Sequence, residues 1–195
     1  MAEVAADRRM GVPLVAFALG AVVAVLVGVL GRVHQPSPRG TTSLWFQTVI
    51  DMKVVVSVVV GVLAVVQVLG ALWLYGRLGV RPPSWLGTAH RVTGVLTLVL
   101  SLFVAYHCLW ALGLEAGTLA GGQAVPLRVV VHGVLGCAVI GAAVVKVVAV
   151  RAHRAPGWFL PVAGGLLFVL LVAAVLTSAV WYIGTNGWPG AGGYG

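Results

Sequence analysis

Five long apolar runs, separated by short segments rich in glycine, proline and arginine, constrain the fold of this chain more than any other feature. Each run has at least the roughly 20 residues that an α-helix needs to cross the hydrocarbon core of a bilayer. The sequence therefore predicts an all-α fold, in which residues 1–195 form a single integral membrane bundle of five transmembrane helices. The predicted spans cover about residues 11–31, 49–75, 92–114, 127–150 and 158–183.

Composition excludes most other classes of protein. The chain is 61% hydrophobic and 8% charged, which no soluble domain matches. Its formal charge of +8 does not indicate nucleic-acid binding, because the basic residues lie in short loops beside the apolar runs. With only four acidic residues, a proton-coupled transporter is disfavoured. The tail, residues 184–195, is too rich in glycine and proline to be helical.

The loop arginines predict the orientation of the bundle in a bacterial inner membrane. The side with more arginines is expected to face the cytoplasm, so the N terminus lies inside and the C terminus outside. The first run is long and lacks a clear cleavage site, which favours an uncleaved anchor over a signal peptide. The inner side carries Arg8, Arg9, Arg77, Arg81, Arg91, Arg151 and Arg154, and the outer side carries Arg32, Arg39 and Arg128.

His107 and His132 are the strongest candidates for chemistry. His107 lies about six residues before the third helix ends, and His132 about six residues after the fourth begins, so both rings are expected about 9 Å inside the outer face. Ionisable groups at this depth are costly and indicate function. Two imidazoles at one level can bind a haem iron from both sides, which predicts a b-type haem with bis-histidine ligation. The alternative is that both histidines form hydrogen bonds between helices.

Two cations near the same level, Lys53 and Arg128, are candidates for pairing with the haem propionates, because buried anions need a counter-charge. The alternative is an ordinary interfacial ion pair, in which Asp51 could take part. Cys108 and Cys137 do not belong to a CxxCH motif, so covalent c-type haem is excluded and both are expected to be packing residues.

A second haem site between His90 and His153 fits the sequence less well. His90 lies 17 residues before His107, whereas His153 lies 21 residues after His132, so the two levels do not match. His153 is part of RAHRAPG, which is typical of a solvated basic loop, and His90 is expected to lie at the inner interface as a capping, structural or quinone-facing group. We therefore expect one haem, with a second site at His90 and His153 as the weaker possibility.

Four strings stand out between Trp85 and Tyr182: AHRVTGVLTLVLSLFVAYHCLWALG, LRVVVHGVLGCAVIGAAVVKVVAVR, PGWFLPVAGGLLF and LTSAVWY. Together they resemble a bacterial family of small membrane proteins of unknown function. This resemblance implies a multi-span helical fold. More loosely, the arrangement is similar to bis-histidine b-type cytochromes and the ferric-reductase-like transmembrane group, which hold haem between helices. Those proteins usually show two stacked histidine pairs, whereas this chain shows one well-matched pair.

The function expected from the sequence is that of a b-type cytochrome subunit carrying electrons near the outer face. Its implied partners are membrane lipid, a quinone pool or an outer-face redox protein, and a larger membrane complex. The alternative is a cofactor-free membrane scaffold or accessory subunit.

Overall fold

The computed structural model is all-helical and describes residues 2–37, 39–113, 124–152 and 155–190, with the backbone alone for residues 2–10 and 112. Cys108–Leu112 continues the third helix as a π-helical turn, and a second π-helical turn, Leu176–Val180, joins the fifth helix to the sixth. The α-helices are α1 (Ala2–Val33), α2 (Val49–Leu74), α3 (Leu86–His107), α4 (Leu127–Arg151), α5 (Phe159–Val175) and α6 (Trp181–Asn186).

Five helical segments are long and apolar enough to cross a membrane, which confirms the predicted fold class of a multi-pass helical bundle. The third begins at Leu86, six residues before the predicted start, so that His90 lies within a helix rather than ahead of one. The fifth continues through the π-helical turn as far as Asn186. The segments are Gly11–Val33, Val49–Leu74, Leu86–Ala111, Leu127–Arg151 and Phe159–Asn186.

The start of α2 is fixed by reciprocal capping. Thr48 Oγ1 accepts the backbone N–H of Asp51 at 3.0 Å and donates to Asp51 Oδ2 at 2.8 Å. The Asp51 carboxylate, only 7% exposed, also lies in the first turn, where the helix dipole favours a negative charge. This cap fixes the first turn of α2, two residues before Lys53.

Small residues allow α1 and α4 to pack closely. Gly20 and Gly141 face each other so tightly that a Cβ on either would collide with the backbone carbonyl of the other. Lipid tails are as apolar as the side chains, so close van der Waals packing replaces the hydrophobic effect as the force that joins membrane helices. Towards the middle of the bundle, Val60 of α2, Val139 of α4 and Leu171 of α5 form a buried apolar cluster.

The helices pack in the order α3, α2, α5, α4, α1, while α3 and α4 barely touch. Neighbouring contacts show that successive helices alternate in direction: Gln67 of α2 contacts the start of α3 through His90, and Arg128 at the start of α4 contacts Thr177 near the end of the fifth span. A space lies between α3 and the α1–α4 pair. We call the half of the bundle that contains Arg32, Lys53 and Arg128 the outer half, following the predicted orientation.

Candidate functional site

A cavity of about 730 Å³ occupies the outer half of the bundle and extends towards its middle. All five spans contribute to its wall, from Gly28 and Arg32 on α1 to Leu171 on α5. Its volume lies within the range of roughly 300–1,000 Å³ typical of small-molecule and cofactor sites. Most of the wall is apolar, and its polar side chains are Arg32, Lys53, Ser57, Ser101, Cys108, His132, Cys137 and Ser178.

His132 enters the cavity from the second turn of α4. Its Nδ1 lies 3.2 Å from Thr177 Oγ1, whose own proton is directed at the carbonyls of Ala173 and Ala174. With the hydroxyl proton directed at these carbonyls, Oγ1 would accept, and we assign the imidazole proton to Nδ1 on that basis. No hydrogen bond to Nε2 is present within the described residues, which leaves the Nε2 lone pair available in a ring that lines the cavity.

His107 occupies a different environment. Its side chain is 1% exposed, and both ring nitrogens are engaged: Nδ1 donates to the carbonyl of Phe103 at 2.8 Å, and Nε2 accepts the backbone N–H of Thr42 at 3.2 Å. His107 does not line the cavity, although Val104 and Cys108 on the same helix do. The structure therefore does not bring His107 and His132 into one site.

Helix geometry explains this separation. Counting residues from the helix ends fixes how deep a side chain lies but not the direction in which it points, and one residue turns the helix by about 100°. The face of α3 that meets the cavity passes through Ser101, Ala105 and Cys108. His107 is rotated away from that face towards the loop between α1 and α2, where Thr42 lies.

The two cations predicted to pair with propionates also lie in different places. Lys53 lines the cavity, as does Arg32, which the sequence analysis assigned to topology alone. Arg128 does not line it: its Nη1 donates to the carbonyl of Thr177 at 2.8 Å, and its guanidinium carbon lies 3.4 Å from the centre of the Trp181 ring. Arg128 thus joins α4 to the fifth span.

Ser57 is a further polar residue of the cavity wall that was not predicted from the sequence. It lies one helical turn after Lys53 on α2, is 9% exposed, lines the cavity, and forms no hydrogen bond within the described residues. The spacing of four residues between Lys53 and Ser57 places both on one helix face. This spacing could have indicated that Ser57 lies beside Lys53 in the site.

His90, one half of the weaker predicted site, does not line the cavity. His90 is in the first turns of α3, and its buried Nδ1 lacks a hydrogen-bond partner among the described residues. Its backbone carbonyl accepts from Gln67 Nε2 at 3.0 Å. His153, its predicted partner, lies outside the described residues. Cys108 and Cys137 are free thiols that both line the cavity.

No group of three or more histidine, cysteine, aspartate or glutamate side chains is arranged to hold a bare metal ion in the described ranges. A haem iron differs, because the porphyrin supplies four ligands and the protein only one or two. The site therefore offers one free imidazole, two cations and a free hydroxyl in an apolar cavity.

Comparison with known proteins identifies the family. The model of a family of unknown function, DUF6529, matches residues 11–190. The chain belongs to this family. The match covers all five spans and every wall of the cavity. No curated protein and no solved structure matches the chain.

Proposed function

We propose that this protein is a membrane subunit that would hold one b-type haem in the cavity of its outer half, with His132 as the residue that would ligate the iron. The observation that carries the proposal is that His132 lines a cavity of cofactor size while its Nε2 forms no hydrogen bond within the described residues. Its Nδ1 is bonded to Thr177 Oγ1 at 3.2 Å, which is the arrangement that fixes the tautomer and orientation of an iron-ligating imidazole.

The other polar residues of the cavity fit the same group. Arg32 and Lys53 are the cations in its wall, and no carboxylate lines it among the described residues. A haem is an apolar disc with two propionate groups, so it needs an apolar cavity with cations at one side. These two residues take the role that the sequence analysis gave to Lys53 and Arg128.

When bound, haem supplies a one-electron redox couple. The chain's own residues would bind and tune it: His132 supplies electron density, Thr177 holds the imidazole in place, and Arg32 and Lys53 favour the state of more negative charge. The apolar wall excludes water and lowers the local dielectric constant, which strengthens these charge effects. The predicted orientation places this site towards the outer face of a bacterial inner membrane, where a quinol or an outer-face redox protein would exchange electrons with it.

The experiment is a reduced-minus-oxidised spectrum with haem stoichiometry, measured on protein purified in detergent from haem-replete cells. We expect a Soret band and about one haem per chain, since the structure offers one cavity imidazole with a free nitrogen. His132→Ala should abolish the bound haem, whereas His90→Ala, a matched change of a histidine away from the cavity, should leave it in place. A colourless wild-type protein would exclude the proposal.

A cofactor-free scaffold is the second candidate, and specific contacts favour it. The hydrogen bond from the backbone N–H of Thr42 to His107 joins a loop to α3. The hydrogen bonds of Thr177 with His132 and Arg128 join α4 to the fifth span. In this function the histidines would stabilise the bundle and nothing more. His132→Ala would then lower thermal stability in a protein that never contained haem.

A further inference from the structure

The side of the cavity that faces His132 provides no second imidazole. His132 projects from α4, and the cavity separates α4 from α3, which barely touch. The wall formed by α2 and α3 consists of aliphatic residues with Lys53, Ser57, Ser101 and Cys108. Among the histidines of the described residues, His132 is the one that lines the cavity.

His107 is prevented from serving as a second ligand by its own contacts. Its Nε2 lone pair accepts the N–H of Thr42, and its Nδ1 proton is donated to the carbonyl of Phe103. To reach an iron in the cavity, the ring would have to turn away from both partners, leaving the N–H of Thr42 without its acceptor. The ring is already almost fully enclosed, so this would also require its neighbours to repack.

We propose that His132 is the one histidine of the described residues that would hold the haem iron, and that the iron would keep a coordination position free to bind a neutral diatomic gas such as CO, NO or O₂. This inference rests on the proposed haem site. It differs from the bis-histidine arrangement expected from the sequence, which leaves no open coordination position and restricts a haem to electron transfer.

The chemistry of the wall favours a small, uncharged ligand. Apart from Lys53, which the proposed function pairs with a propionate, charged groups are absent from the described wall of α2 and α3, and a diatomic molecule needs little space and no counter-charge. Ser57 provides one polar group on this side: the residue is 9% exposed and lines the cavity, and its hydroxyl forms no hydrogen bond within the described residues. It is therefore available to donate to a gas molecule held near α2.

The test uses the full-length haem-loaded protein. In the oxidised state we expect a high-spin electron paramagnetic resonance signal, and in the reduced state a Soret shift with one CO per haem. His107→Ala should retain the haem, the high-spin signal and the CO shift. Ser57→Ala should release CO about fivefold faster, as expected for the loss of one hydrogen bond.

The possible results separate this inference from the proposed function. Wild-type protein without haem would overturn both. A low-spin signal and no CO shift would overturn the gas site while leaving the haem site intact, and the residue responsible would be found by testing whether His107→Ala or Cys108→Ser restores the high-spin state. Because spin state and CO binding are measured on the wild-type protein, the outcome does not depend on whether a variant folds.

Discussion

At the scale of single residues, hydrogen bonds decide which side chains are free to bind a ligand. His107 and His132 both lie inside spans, but the ring nitrogens of His107 are both engaged, whereas His132 has one left over. Arg128 and Lys53 differ in the same way, because Arg128 bonds to Thr177 and stacks on Trp181 while Lys53 lines the cavity. The partners of each side chain, rather than its type, separate structural from binding roles.

The two outer cations should therefore respond differently to substitution. Lys53→Met should weaken haem retention about tenfold or more, the loss expected when a charge-assisted bond is removed. Arg128→Met should retain haem but destabilise the bundle by about 1–2 kcal/mol, because it removes a hydrogen bond to a carbonyl and a cation–π contact. Haem content on a purified sample and thermal unfolding followed by circular dichroism measure the two effects.

The opposite result would contradict this placement. If Arg128→Met lost haem while Lys53→Met retained it, the propionates would have to lie near Trp181 rather than in the cavity.

The sequence anticipated these residues only in part. It identified His132 and Lys53 as site residues from depth and charge, and both line the cavity. It could not separate them from His107 and Arg128, because position along a helix axis leaves rotation about that axis undetermined. Ser57 was missed since a serine within a membrane helix usually bonds to its own backbone, as Ser101 does to Thr97.

At the scale of helices, a helix can extend beyond its apolar run when its polar side chains form hydrogen bonds within that helix or with a neighbouring one. The start of α3, GTAHR, is hydrophilic, so the predicted apolar span begins at about residue 92, six residues after the helix itself begins. In the structure, Arg91 Nε donates to the carbonyl of Gly87, and Gln67 Nε2 of α2 donates to Thr93 Oγ1 at 2.6 Å. These bonds remove much of the cost of placing polar groups in a span. The two π-helical turns have no signal in the sequence that we recognised.

The contact between α1 and α4 gives a prediction at this scale. Gly141→Ala should destabilise the bundle by about 1–3 kcal/mol, because the new Cβ would collide with the carbonyl of Gly20 and force the helices apart. Thermal unfolding in detergent measures the effect. Gly165→Ala on α5 is the matched control: a Cβ there meets no other atom within 4 Å, so its stability should be unchanged or slightly higher. Equal losses in both variants would argue against close packing at Gly20.

At the scale of the whole molecule, hydropathy alone predicted the architecture, because a bilayer admits few solutions. Backbone N–H and C=O groups in lipid must form their hydrogen bonds within the protein, so long apolar runs become helices. The number of these runs then gives the number of helices in the bundle. The order in which the helices pack, and the gap between α3 and α4 that forms the cavity, depend on small residues such as Gly20 and Gly141 and could not be read from hydropathy.

Orientation is the property of the whole molecule on which the choice of the proposed redox partner depends. Fusions of alkaline phosphatase, which is active only outside the cytoplasm, should be active after Gly190 and inactive after Gly79, in the connection between α2 and α3. Green fluorescent protein at the same two positions is the complementary control and should fluoresce only after Gly79. The physical reason is the larger number of loop arginines on the side of Arg77 and Arg81. The reverse pattern would place the cavity on the cytoplasmic side: the haem and gas experiments would keep their expected results, but the redox partner would have to be a cytoplasmic one.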